Sequence, residues 1–362
     1  MSSLPKVLVD NIKEHSLVLF LGAGASIGAE HPQKKPIPSG KELAKMLVDK
    51  FLGSEYRDIP LLRAAELAIA QSDLFTFQDY VASVFRDFGP GDHHRLVPRF
   101  LWQAIFTTNY DLVIERAYEQ AIAEKKNLQT IVPFLKNTDR LEDRLRKPDS
   151  ISYVKLHGCI TALRDLEIPL IVTTEQYLEH RKYRNFLFER FSYLASQFPV
   201  VYVGSNLEDF DIRAILQDLK ITVKITPHSY ILLPKLKPAE KTFWESFSFL
   251  SCIDMTFEAF LREIDIEIPE NFRKLFEAKK VYEHPICERF EKTVTVPESV
   301  RTLLSRDLQY INKDYKPTLT FPHIIGQPLL ESSLCFQRIP WGSGLAVSCV
   351  AGHHYSLSAS FR

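Results

Sequence analysis

The sequence predicts a doubly wound α/β fold: a mostly parallel sheet, a helical subdomain inserted after the first strand, and a C-terminal extension. Three observations carry this. Short, wholly apolar runs such as Leu17-Val18-Leu19-Phe20-Leu21 and Val200-Val201-Tyr202-Val203 alternate with helical patterns, and an unbroken apolar run suits a strand buried on both faces of a parallel sheet. Four of these runs end in polar or glycine-bearing turns, Gly22–Ser26, Thr107–Asp111, His157-Gly158 and Gly204–Asn206. In open α/β sheets ligands sit outside the carboxyl ends of the strands, where such turns fall. Finally, 25 Phe and 14 Tyr must be buried somewhere, which excludes a disordered chain.

The elements follow in order. Lys6–Glu14 is amphipathic and helical, and Leu17–Leu21 is the first strand. Pro32, Pro36 and Pro38 make a loop, after which Ser39 caps a helix from Lys41 to about Phe51. Leu61–Phe88 reads as helical and His93–Leu101 as a further helix, so residues 41–101 form the inserted subdomain. The adjacent His93 and His94 lack further ligands nearby and read as a solvated helix start. Ala104–Thr107 is the second strand and Leu112–Ile122 a helix. Ile131–Leu135 and Tyr153–Leu156 are strands, joined through the charged connection Leu141–Lys147. Thr174–Ser196 is helical, with Phe186, Phe188, Phe191 and Tyr193 at core spacing. Val200–Val203, His228–Leu233 and Ile253–Phe257 complete the sheet, with helices at Asp211–Leu219 and Phe257–Ile264. Beyond about residue 268 proline recurs and the alternation fades, apart from a helical pattern at Glu298–Asp307. This divides the chain into a domain of residues 1–268 and an extension of 269–362, a linker or the start of a further module.

Charge and cysteine usage narrow the function. Forty-five basic residues balance forty-five acidic ones, so no nucleic-acid or anionic-membrane surface is written. The 5 cysteines are dispersed with no C-x-x-C, which reads as reduced thiols in a cytoplasmic protein rather than a zinc or redox motif. No apolar run is long enough for a membrane span, and residues 1–11 lack the apolar core of a signal peptide.

The turns carry the chemistry. Gly22-x-Gly24-x-x-x-Gly28 offers backbone amides to a pyrophosphate, but its spacing departs from G-x-G-x-x-G and no acidic residue closes a second strand about 20 residues on. That argues against an ordinary hydride-transfer dehydrogenase, and no P-loop is present either. In the Thr107–Asp111 turn, Asn109 can position a water or ribose hydroxyl and Asp111 can accept from an amide; equally, both can cap the following helix. His157 at a strand end can act as a general base, or simply be satisfied at the strand edge. Gly204-Ser205-Asn206 gives amides and small side chains where an adenosine ribose can lie, while Asp209 and Asp211 read as helix caps.

Together these residues resemble the sirtuin-like superfamily over about residues 15–265. Leu21–Ser26 is similar to its first NAD-binding loop, Asn109-x-Asp111 to its Asn-x-Asp turn, Lys155–Gly158 to its catalytic His-Gly, and Gly204-Ser205-Asn206 to its ribose-binding turn. Two departures stand out. Only Cys159 lies between His157 and Gly204, where deacylases carry a four-cysteine zinc module, and Ile37–Leu43 replaces the deacylase loop. The sequence thereby resembles the zinc-free branch of NAD-hydrolysing effectors in bacterial antiphage defence. The resemblance implies NAD as substrate, no zinc, and Asn109 and His157 as catalytic residues. It implies NAD binding by Gly22, Ala23, Gly24, Ser26, Thr108, Asp111, Gly204, Ser205 and Asn206. It further implies a homo-oligomer under the control of an activating or sensor partner. A non-catalytic NAD or ADP-ribose sensor and an NAD-dependent deacylase are the competing expectations.

Overall fold

The computed structural model describes residues 4–139, 145, 149–167, 169–179, 181–205, 207–222, 226–270 and 273, together with the strands 334–338, 344–351 and 353–360. Asn206, the 141–147 connection apart from Leu145, and the expected helix at 298–307 lie outside the described residues. The chain divides into two units, Met1–Phe276 and Glu277–Arg362.

Unit one is built on a seven-stranded sheet of β1 (Val18–Leu21), β2 (Ala104–Thr107), β3 (Thr130–Phe134), β4 (Ser150–Lys155), β5 (Val200–Val203), β6 (Ser229–Leu232) and β7 (Leu250–Ile253). The order is β3-β4-β2-β1-β5-β6-β7 and every pairing is parallel, a Rossmann-like α/β fold. Both faces are covered, which is why the strands read as continuous apolar runs. Leu19, Leu21, Ile105, Val201 and Val203 pack with Leu8 and Ile12 of α1 (Lys6–Lys13) on one face. Val18, Phe20, Phe106, Val200 and Tyr202 pack on the other face with Phe191 and Leu194 of a 17-residue helix, Arg181–Gln197.

The inserted subdomain consists of α2 (Gly40–Phe51), α3 (Leu61–Gln71) and α4 (Leu74–Phe85). Ser39 opens α2 with a capping box: its hydroxyl accepts from the Glu42 N–H while the Glu42 carboxylate accepts from the Ser39 N–H. The expected single helical run after Leu61 is broken because Asp73 accepts from the N–H groups of Phe75 and Thr76 and starts α4 afresh. The subdomain core of Leu47, Ala64, Ala68, Phe77 and Val81 is closed by Ile160, Leu170 and Val172, from the segment following β4. Residues 94–99, expected as an α-helix, form a 3₁₀ turn containing Pro98. Helix α5 (Val113–Ala123) then follows β2.

The helical stretch before β5 is two helices, α6 (Thr174–Glu179) and α7 (Arg181–Gln197), and α8 (Phe210–Thr222) follows β5. On α7, Phe188 and Phe191 are core, but Phe186 and Tyr193, seven residues apart, are 61% and 64% exposed. Their aromatic character gave the wrong signal; they share the outward stripe of the helix. Helix α9 (Pro238–Glu245), with Pro at its first position, was not foreseen from the sequence. The last strand of the sheet is Leu250–Ile253 rather than Ile253–Phe257, because Thr256 already caps α10 (Phe257–Glu267) through the Ala259 N–H. The described part of unit two is an antiparallel sheet of β8 (Leu334–Arg338), β9 (Gly344–Ala351) and β10 (His353–Ser360), ordered β10-β9-β8.

Candidate functional site

Strand register brings the turns together. Leu21 lies opposite Thr107 on one side and Val203 on the other, and Thr107 lies opposite Lys155. The residues after β1, β2, β4 and β5 therefore leave the sheet level with one another at its carboxyl edge. From β1 the chain turns toward β2, whereas from β5 it turns toward β6. The gap between β1 and β5 is thus the topological switch point, the usual ligand crevice of such sheets.

The two glycine turns face each other across that gap. The Gly22 N–H donates to Val203 O and the Gly24 N–H to Gly204 O, each at 2.8 Å. A Cβ on Gly22 would lie 2.7 Å from the Ser205 Cβ, and one on Gly204, whose φ is +63°, would lie 2.1 Å from the Ala25 N. Glycine is needed here for turn-on-turn packing. The sequence reading gave the Gly22 and Gly24 amides to a pyrophosphate; these two N–H groups are spent within the protein, and Ala23 is the exposed residue of the turn.

Asn109 and Ser26 bind the second turn to the first. The Asn109 Nδ2 donates to Gly22 O and to Ser26 Oγ, both at 2.9 Å. A carbonyl oxygen can only accept, so the amide orientation is fixed and Asn109 Oδ1 is left as an acceptor. Ser26 Oγ in turn donates to Asp111 Oδ2 at 2.7 Å, and Asp111 Oδ1 accepts from the Val113 N–H at 3.0 Å. Asp111 is buried with both oxygens engaged. It acts here as the post on which Ser26 and, through it, Asn109 are set, and it also holds the start of α5, the helix-capping role that the sequence offered for it. The half-buried Thr108 donates its N–H to Leu21 O at 3.2 Å.

Lys155, which opens the His-Gly motif in the sequence, ties this turn to β4, a contact that the motif does not foretell. Fully buried, its Nζ donates to the Asp111 carbonyl and pairs with Glu115 Oε1 at 2.7 Å, while the Tyr153 hydroxyl donates to Glu115 Oε2. Two residues further on, His157 is buried, and the buried Arg184 holds the carbonyl of the residue before it. Arg184 Nη1 donates to Leu156 O at 3.1 Å and Nη2 to Pro169 O at 2.6 Å, and burial lowers the Arg184 pKa to about 10.

His157 Nε2 lies 3.1 Å from Asp209 Oδ2, out of line for a hydrogen bond. The two side chains nonetheless meet there, both largely buried. Asp209 also caps α8, Oδ1 accepting from the N–H groups of Asp211 and Ile212 at 3.1 Å, as the sequence suggested. The Tyr177 hydroxyl of α6 donates to Asp209 Oδ2 at 3.2 Å, and its ring meets His157 edge-on with centroids 5.4 Å apart. Burial raises the Asp209 pKa, but the contacts with His157, the Ile212 N–H and Tyr177 outweigh it and leave the carboxyl below its ordinary value. Ser205 Oγ accepts from the Leu207 N–H at 3.1 Å.

His93 and His94 correct the sequence reading: they are 5% and 0% exposed, not solvated. His94 Nδ1 accepts from the Gly91 N–H, so the ring proton is on Nε2, which donates to Ala25 O at 2.8 Å within the first glycine turn. Among the described residues no group of three or more His, Cys, Asp and Glu could hold a metal ion, and no helix is long and apolar enough to cross a membrane.

The SIR2-like domain family model matches residues 103–250. That stretch of the chain is similar to a SIR2-like domain. The match takes in Asn109, Asp111, His157, Gly204 and Ser205, and begins after β1 and its glycine turn. Comparison with curated proteins gives no match. The SIR2-like domain and the seven-stranded parallel sheet agree with the sirtuin-like resemblance read from the sequence, and they point to NAD-related activity.

Proposed function

We propose that the protein is an NAD glycohydrolase, cleaving the nicotinamide–ribose bond to give nicotinamide and ADP-ribose. The observation that supports this best is the junction of Asn109 with the first glycine turn. Its amide is locked on Gly22 O and Ser26 Oγ, which presents Oδ1 as a fixed acceptor at the switch point, on the edge that also bears His157. In this reading Ala23, Gly24, Gly204 and Ser205 line the dinucleotide, with Gly22, Ser26, Thr108 and Asp111 shaping the turns behind it. Asn109 Oδ1 accepts from the attacking water. His157 accepts from a ribose hydroxyl, which raises electron density on the ribose as it takes on oxocarbenium character. The C1′–N bond breaks with its electron pair leaving on the neutral nicotinamide, the water oxygen bonds to C1′, and the water's proton is released to solvent. The single cysteine between His157 and Gly204 supports hydrolysis over zinc-module deacylation.

The resemblance to zinc-free defence effectors extends the proposal to a regulated, NAD-depleting role. Unrestrained turnover would kill the cell that makes it, so assembly with further copies or an activating partner is part of the reading. The test is nicotinamide release from NAD, followed by chromatography, for the parent, Asn109→Ala and His157→Ala. Release by the parent with a loss of about 100-fold or more in each variant is expected. NAD binding without release under every activating condition would instead support a sensor, and absence of binding would overturn the site.

A further inference from the structure

We propose that Asp209 is a positioning residue that fixes the tautomer of His157, making Nδ1 the ring nitrogen that faces substrate. The tautomer assignment rests on geometry; its catalytic consequence rests on the glycohydrolase reading above. A neutral imidazole carries one N–H and one lone pair, whereas a carboxylate oxygen only accepts. With Oδ2 at 3.1 Å from Nε2, the contact is favourable only when the hydrogen is on Nε2. A lone pair there would face the carboxylate inside a buried site, where repulsion is weakly screened. The lone pair therefore goes to Nδ1.

Asp209 is well held for this task. Its Oδ1 is fixed by the Asp211 and Ile212 N–H groups at the start of α8, and the Arg213 N–H bonds to its carbonyl at 2.9 Å. Tyr177 orders the other oxygen and walls the imidazole with its ring. The β5 turn, α6 and α8 thus converge on one ring nitrogen. A carboxylate beside Nε2 also stabilises whatever positive charge His157 gains as Nδ1 draws on the ribose hydroxyl.

Asp209→Asn separates positioning from folding. Its carboxamide oxygen can still cap α8, while its NH2 can face Nε2 and move the ring hydrogen to Nδ1. The ¹⁵N imidazole spectrum, with His157 assigned through His157→Gln, is expected to show the Nε2–H tautomer in the parent and the Nδ1–H tautomer in Asp209→Asn. Tyr177→Phe, which leaves the carboxylate in place, is expected to keep the parent tautomer. In nicotinamide release, Asp209→Asn is expected to lower kcat by about 100-fold or more with KM within about 3-fold. An unchanged tautomer overturns the assignment, and a changed tautomer with parental kcat overturns its catalytic consequence. If the parent releases no nicotinamide under any activating condition, the glycohydrolase reading fails while the spectra still decide the tautomer.

Discussion

At the scale of the residue, the first glycine turn depends on a histidine the sequence offered no reason to bury. His94 holds the Ala25 carbonyl from below and is stacked 3.9 Å, centroid to centroid, from His93. Burial, reinforced by the neighbouring His93, pushes its pKa from 6.5 down to about 4. The unfolded chain therefore binds a proton near pH 6.5 that the folded chain refuses until about pH 4. Between those values stability rises with pH, so it is fully present above about 6.5 and is lost on acidification through the window. The whole window corresponds to on the order of 3 kcal/mol. Urea denaturation of the parent and of His94→Asn at several pH values between 7 and 5 checks this: the parent should lose stability more steeply, and parallel pH slopes would contradict the assignment.

At the scale of the element, the site is two turns packed backbone to backbone, and Gly204 is the contact. It combines a left-handed φ of +63° with a space in which a Cβ would sit 2.1 Å from the Ala25 N. Gly204→Ala must therefore strain the β5 turn and push the β1 turn away. A cost of about 2–4 kcal/mol is expected, together with loss of NAD binding; a variant with the parental urea midpoint and NAD affinity would contradict it. Most of the sheet was legible because a strand buried on both faces writes itself as an apolar run, as in Val18–Leu21 and Val200–Val203. The turns were legible because glycine, Asn109 and His157 are chemically conspicuous. What joins them was not. Lys155 reaching Glu115 and the Asp111 carbonyl, and Asp209 reaching His157, are contacts between residues remote in sequence. Asp209 looked like a helix cap and is one; its second oxygen has a task that spacing along the chain cannot reveal. Phe186 and Tyr193 misled in the opposite direction, since aromatic character signals burial only where a neighbouring element covers it.

At the scale of the whole molecule, unit one closes its own cores, and among its described residues the last is a buried arginine. Helices α1 and α10, from opposite ends of the unit, pack into the same face of the sheet through Leu8, Ile12, Phe260, Leu261 and Ile264. Composition placed the boundary at residue 268, yet Arg273 lies beyond it and is buried. Its Nε donates to Ile268 O at 2.7 Å, its Nη1 pairs with Asp265 Oδ1 at 2.8 Å, and its guanidinium sits 4.6 Å from the Phe100 ring centroid. These contacts satisfy carbonyls at the end of α10 that a shorter chain would leave unpaired. A fragment of residues 1–276 is therefore expected to unfold as one cooperative unit, and a fragment of residues 1–268 to be less stable by about 2 kcal/mol. Arg273→Ala in the longer fragment should reproduce most of that loss. Equal urea midpoints for the two fragments would show that α10 holds its place without Arg273, and would return the boundary to the position the composition suggested.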